Sequence, residues 1–547
     1  MYSLNSSNFN ILLCYEDFYR NNDKKPDIME VIPQLNMHKT ISIISELIAF
    51  RNKTLDFRVF TRILRVPLEL GLKIRLLNLT KNECSSDRRC IKQAHIISLQ
   101  MLLNLLKHII AYGDFSTLNN QEYEISFEDY KTIIDLQMVV TESYDRFYEE
   151  MSEEEKAHFI YANYHVNYDR CVANSIIRNY YMFEKLCSSR DNFDDDVKPE
   201  WRDYPLEFFK KYNFSILDYI TVLFYELITY YNDVKELLYS SVWRNVDKIY
   251  GKTKVYDVSE RIINRVSASP EEIKKWAINT LDAPWDFSFF YSKPFIKCNG
   301  HHIAVSDLTS RNCFSENIYW LIRDCYPRDD SRCMAFYGRL HEKYIQDLTN
   351  EASKKNPRIK YIPEFVCNSG NKSSDVYIQI DDNLIIIECK GFSVLLDTIT
   401  KGESIPKNNK KLFIDPILQA DERFYEIVNE DCKFKNINQT YIISVTMDNV
   451  NAVPQYYDEI YTEIERAKKS PLTKYVFNFN VEEYERLMYY LENNTDVISL
   501  LKEYYEMEEL LPFTSYLSKK YIDATDAKTE FMENIYTELT EKIKKAF

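Results

Sequence analysis

The feature that most constrains this chain is a run of four branched aliphatic residues, Leu384-Ile385-Ile386-Ile387, that stops abruptly at Glu388-Cys389-Lys390. A strand with one wet face alternates apolar and polar residues. A continuous apolar run marks a central strand covered on both sides. A carboxylate and an ammonium at the end of such a strand are costly unless they are paired or bound to an ion. The chain must therefore build a sheet buried on both faces, with charged groups gathered at one end of its central strand.

Neighbouring segments supply the rest of that sheet. The pattern predicts a helix over 334–354, strand-like stretches at 359–368 and 374–380 separated by a polar turn at 368–373, and the central strand from 384. A lysine-bearing loop at 401–411, a helix at 416–430 and strands at 440–448 and 475–480 follow. The turn before the central strand sets its register. If Asp381-Asp382 is a two-residue turn, Asp375 stands opposite Glu388; if the turn is Asp382-Asn383, Asp375 faces Lys390 and Glu388 is a diagonal neighbour. In either case Glu388 and Lys390, two residues apart, project to one face.

The remainder reads as helical. Only 8 glycines and 16 prolines punctuate 547 residues, which favours long helices. Apolar residues recur at three- and four-residue spacing over 32–50, 59–79, 94–112, 168–187 and 215–243. A polar connection lies near 188–205, where Asp194–Asp196 reads as a solvated loop. Residues 293–306 read as a hairpin turning at Asn299-Gly300, with His301-His302 on its surface. The length exceeds what one core usually supports. The expected class is α+β and multi-domain: a large helical N-terminal region over 1–285, a mixed-sheet core flanked by helices over 286–480, and a helical, acidic tail over 481–547.

Several chemistries are excluded or disfavoured. Gly251-Lys252-Thr253 looks like the end of a phosphate-binding loop, but Val246 stands where that motif needs glycine. Two further E-x-K triplets, Glu154-Glu155-Lys156 and Glu272-Ile273-Lys274, sit in charged helical surroundings and read as solvent-facing. The 12 cysteines form no C-x-x-C pair, and Cys84 and Cys90 lack zinc-site partners, so reduced thiols are expected. The first residues lack a basic start followed by an apolar stretch, and no run nears 18 apolar residues. A cytoplasmic address without a membrane span is the expectation. The 43 tyrosines read as packing residues that bury a ring and keep the hydroxyl hydrated. The net charge of −15 is unevenly spread: 331–480 carries 20 basic and 21 acidic side chains, while the segments on either side each carry −7. The charged strand end lies in the least acidic part.

Two close carboxylates repel each other unless a cation bridges them, and an oxygen-rich site suits a hard ion that keeps some of its waters. The set Asp375…Glu388-Cys389-Lys390, in the order strand, turn, strand, resembles the PD-(D/E)XK nuclease superfamily over roughly 290–480, with Ser374 in place of the proline. The resemblance implies a restriction-endonuclease-like core in which Asp375 and Glu388 bind Mg²⁺, with Mn²⁺ as the alternative. Cys389 lends its backbone carbonyl, and Lys390 positions the attacking water. It further implies that Glu342, with Gly338 and Tyr344 nearby, comes from the preceding helix, and Gln419 from the following one. Position 423 carries Arg423 where some members have tyrosine. The implied activity is phosphodiester hydrolysis by a DNA endonuclease, of the kind used in restriction or defence against phage. An RNase on the same fold and an inactive scaffold are the alternatives. Lys407, Lys410, Lys411 and Arg423 are then candidate phosphate contacts. A homodimer, and a protein partner or trigger recognised by the N-terminal region, complete the expected partners.

Overall fold

A computed structural model describes residues 11–12, 14–19, 25–51, 94–95, 97–167, 171–236, 243–391, 394–431, 433–447, 454–507, 511–521 and 527–547. The predicted helix at 59–79 and the Cys84–Cys90 pair lie outside them. The chain forms two compact units. One comprises 170–217 and 318–545, and the other 3–169 and 218–317, with the extreme terminal residues divided between them.

The first unit carries the charged strand end. Its elements in chain order are α1 (Val172–Tyr180), α2 (Ser331–Lys354), β1 (Ile359–Pro363), β2 (Val376–Ile380), β3 (Asn383–Lys390), α3 (Asp415–Glu426), β4 (Gln439–Thr446), β5 (Thr473–Asn480) and α4 (Val481–Glu492). The sheet order is β5-β4-β3-β2-β1. β1, β2 and β3 pair antiparallel, and β3, β4 and β5 pair parallel. The apolar run is thus the middle strand, and every residue from Leu384 to Cys389 is buried. Side chains of the Glu388 parity meet the segment leading into α3. On β4, Ser444 lies beside Glu388 and donates to the Leu412 carbonyl at 3.4 Å. α2 packs against β1, β3 and α4.

The turn before β3 is Asp381-Asp382. Asp381 takes the left-handed conformation (φ 53°), which aspartate tolerates better than most residues. Val376 then pairs with Ile387 and Ile380 with Asn383, so the first of the two registers applies.

The segment 401–411, expected as a loop, is helical except for the turn at 402–404. Helices span Leu396–Lys401 and Ile405–Asn409, and a π-helix over Lys410–Ile414 runs into α3. Gly402 closes the first in the left-handed region, Pro406 opens the second, and Ile405, Leu412 and Phe413 are buried. Lysine density hid an apolar stripe.

In the second unit, helices Met37–Arg51, Leu99–Tyr112 and Phe127–Glu150 pack together, and Leu99–Tyr112 is buried along nearly all its length. Its four-stranded sheet contains the hairpin Phe295–Cys298/His301–Ala304, which turns at Asn299-Gly300 as expected. This hairpin belongs here rather than to the sheet of β3. The surface role expected for His302 is overturned. Strand alternation turns its ring inward, where it is 1% exposed and lies 2.8 Å from Glu226 Oε1. Among the described residues no helix is long and apolar enough to cross a membrane.

Candidate active site

The register builds the site. Continuing the β1–β2 and β2–β3 pairings by one residue aligns Glu364, Asp375 and Glu388 in one row across three strands. Asp375 lies in the bend before β2, and its Oδ2 accepts from the Cys389 amide at 2.6 Å. That bend is held from inside the sheet: the Ser374 N–H donates to the Tyr377 hydroxyl at 3.0 Å. Serine at 374 therefore has a structural use that proline, lacking the N–H, could not serve.

Glu388 is 3% exposed and its Oε1 accepts from Lys390 Nζ at 3.0 Å. Its other oxygen, Oε2, is buried without a hydrogen-bond partner. A buried carboxylate oxygen left this way is costly, and most such atoms in folded proteins are satisfied. Lys390 also donates to Gln419 Oε1 on α3 at 3.2 Å, which draws the following helix into the site. Burial alone would push the Lys390 ammonium down, but the neighbouring Glu388 carboxylate outweighs it and holds it up.

Glu342 reaches the cluster from α2. A side chain on Gly391, directly after β3, would sit 3.0 Å from the Gly338 Cα. The helix therefore crosses the strand end at close range, and Glu342, one turn beyond Gly338, falls on the same face. Burial, then Glu388, then Glu342, pushes the Asp375 carboxyl well above its ordinary range, with Glu364 adding to the rise. Burial raises Glu388 and Glu342 as well, against the pull of Lys390 and then the Ser374 hydroxyl on the first and of Arg339 on the second. Carboxylates this close cannot all ionise without a compensating cation.

Asp375, Glu388, Lys390, Gln419 and Glu342 thus converge at one sheet end. The candidate phosphate-binding residues do not join that cluster. Lys407, Lys410 and Lys411 are exposed. Lys410 pairs with Glu463 at 3.2 Å, and Arg423 pairs with Glu426 at 3.1 Å. Sequence reasoning missed Glu364, because nothing in the 368–373 turn specifies the β1–β2 register. It also missed Arg339 and Lys372, which bind Glu342 and Glu364 at 2.8 Å each.

Among the described residues no group of three or more His, Cys, Asp or Glu is arranged to hold an ion. The donor set fits a hard divalent ion held by two carboxylates and otherwise by water: Glu388 Oε2 is unpartnered, and Asp375 lies opposite it. No family model, no curated protein and no solved structure matches the chain.

Proposed function

We propose that this chain is a metal-dependent nuclease with a restriction-endonuclease-like core, cutting phosphodiester bonds in DNA. The observation that carries the reading is the unpartnered, buried Oε2 of Glu388 opposite Asp375, with Lys390 bound to both Glu388 and Gln419. A buried like-charge pair is an expensive arrangement for a scaffold and a useful one for a cation site. The mixed sheet, with two antiparallel pairings followed by two parallel ones and the charged residues at the central strand's end, also supports it.

In this reading Asp375 and Glu388 hold Mg²⁺, or Mn²⁺ in its place. The ion, when bound, neutralises the phosphate and acidifies a water. Lys390 is held by Glu388 and Gln419, so its remaining donor capacity points a fixed cation at the reacting groups. Tyr377 and Gly391 are positioning residues: the first fixes the Asp375 bend, and the second admits the helix that bears Glu342.

Purified protein is incubated with plasmid, single-stranded DNA and RNA in Mg²⁺ or in EDTA. Cleavage of plasmid in Mg²⁺, absent in EDTA, is expected. Cutting of RNA alone would move the reading to an RNase, and cutting of nothing would sink it.

A further inference from the structure

Asp194–Asp196 are exposed in a turn, as expected, and that turn is also tied to the site. Arg339 donates to Glu342 at 2.8 Å and to Glu200 at 3.2 Å. Lys372 donates to Glu364 and to Asp196, both at 2.8 Å. Each cation therefore stands between a carboxylate of the cluster and a carboxylate of the segment 194–200. The two cations address one patch, because Asp196 is held down by its bond to Lys372 and further by Arg339. Packing seats the segment: Phe193 is buried and edge-on to Phe336 of α2, with ring centroids 5.2 Å apart.

Resting on the nuclease reading, we propose that Arg339 and Lys372 are a clamp for two backbone phosphates of the nucleic acid, and that Asp196 and Glu200 occupy it until substrate displaces them. A carboxylate and a phosphodiester each present a pair of anionic oxygens, and a guanidinium fork takes either. The cations are placed for this use. They remain partly exposed, at 30% and 42%, and each is one hydrogen bond from a carboxylate that acts on Asp375.

Formal charge gives the segment its effect. Asp196, Glu200, Glu342, Glu364, Asp375 and Glu388 carry six negative charges against three positive ones on Arg339, Lys372 and Lys390. One divalent ion leaves the site at −1 with the segment seated, and at +1 once Asp196 and Glu200 withdraw. A polyanion is repelled in the first state and attracted in the second.

The test is a charge cycle in Asp375→Ala protein, which binds without cutting. With neither that carboxylate nor the ion, its site carries −2 with the segment seated and 0 once it withdraws, the same difference of two. Probes are a short fluorescent DNA duplex, its single strand, and RNA of the same sequence, over a salt series. Asp196→Asn with Glu200→Gln should tighten binding by on the order of ten-fold and steepen the duplex log–log salt slope by about 1.8, two phosphates at about 0.9 each. In an Arg339→Gln, Lys372→Gln background the same pair should change neither by that much. An equal gain in both backgrounds would mean the segment only repels, and the clamp fails. No gain in either background also overturns it. Hydrogen exchange of the 191–202 amides should rise when duplex is added to the protein with its native segment, and an unchanged rate contradicts displacement. The two readings separate cleanly. Metal-dependent cleavage by the unaltered chain without coupling in the cycle leaves the nuclease and removes the clamp. Coupling without cleavage leaves a phosphate-binding site and removes the nuclease. Failure of every variant to bind any probe removes both.

Discussion

Glu226 in the helical unit and Glu388 in the sheet unit are both buried carboxylates, and they are treated in opposite ways. Glu226 Oε1 accepts from Arg244 Nε at 2.5 Å and lies 2.8 Å from His302 Nε2, while its Oε2 accepts from the Tyr250 hydroxyl at 2.9 Å. Burial would raise its carboxyl, but Arg244 and then His302 prevail and hold it down at about 2. Glu388 has one lysine on one oxygen, no hydrogen bond of ordinary geometry on the other, and the Ser374 hydroxyl and carboxylates for neighbours. The first charge is fully bonded; the second leaves an acceptor unfilled, and folding does not improve by it.

The largest effect should come from removing either carboxylate of the pair. Asp375→Ala or Glu388→Ala should abolish cleavage while lowering the urea unfolding midpoint by less than loss of a structural ion pair would, since relief of like-charge repulsion offsets the Cys389 amide or Lys390 ammonium that each leaves without its acceptor. Retention of most activity in both variants would refute the assignment. A fall in stability as large as that of a structural ion pair would erase the contrast with Glu226.

Glu226→Ala is the reciprocal experiment. It strands Arg244 and His302 in the interior, and a loss of about 3–5 kcal/mol in unfolding free energy is expected. Cleavage per folded molecule should not change. The wild-type pair also has a pH signature. The folded-state value of about 2 lies below the ordinary 4.5, so Glu226's contribution is complete above 4.5 and is lost as pH falls toward 2. Unfolding midpoints measured between these limits should fall more steeply for the wild type than for Glu226→Ala. Parallel curves would mean that Glu226 is not the group responsible.

The contrast was only half visible in the amino-acid order. The strand end at 388–390 stood out because four aliphatic residues run into charge, and the turn at 381–383 offered just two registers, one of which is realised. Glu154 and Glu272, the other E-x-K candidates, do lie on helices, Glu153–Asn167 and Pro270–Asn279. Glu226 gave no such signal. Its partners Arg244 and His302 lie 18 and 76 residues away, and only the folded sheet brings them together. Glu364 and the pairing of Asp196 with Lys372 were hidden for the same reason, because loop 364–375 has no length rule that fixes its closure. His302 was misread because its strand is short and its inward parity depends on a pairing that local sequence does not encode.

Lys390→Ala sharpens the comparison from within the site. If the ammonium acts on the attacking water, turnover should fall by on the order of 10²-fold while metal binding, followed by calorimetry, changes far less. Loss of metal binding with a normal residual rate would reverse the roles assigned to Lys390 and the carboxylates. The fold should tolerate the change better than it tolerates Glu226→Ala, because Lys390 keeps a partly exposed side chain and the Arg244 side chain is buried.

The smallest effect is expected from Lys407, Lys410, Lys411 and Arg423. The three lysines lie on the helical path into α3 and Arg423 in its last turn, and Lys410 and Arg423 are paired with acidic neighbours. Such partly or fully exposed pairs exchange with phosphate, so these residues should add affinity without choosing sequence. Neutralising all four in the Asp375→Ala protein should weaken duplex binding evenly across sequences and flatten the salt slope by at most about 0.9 for each phosphate released. The decrease should be smaller per residue than for Arg339 and Lys372, because Lys410 and Arg423 have local carboxylates that partly cancel their charge at a distance. An unchanged slope would mean that this helical face does not touch the backbone, leaving Arg339 and Lys372 as the cations beside the carboxylate cluster proposed to hold it.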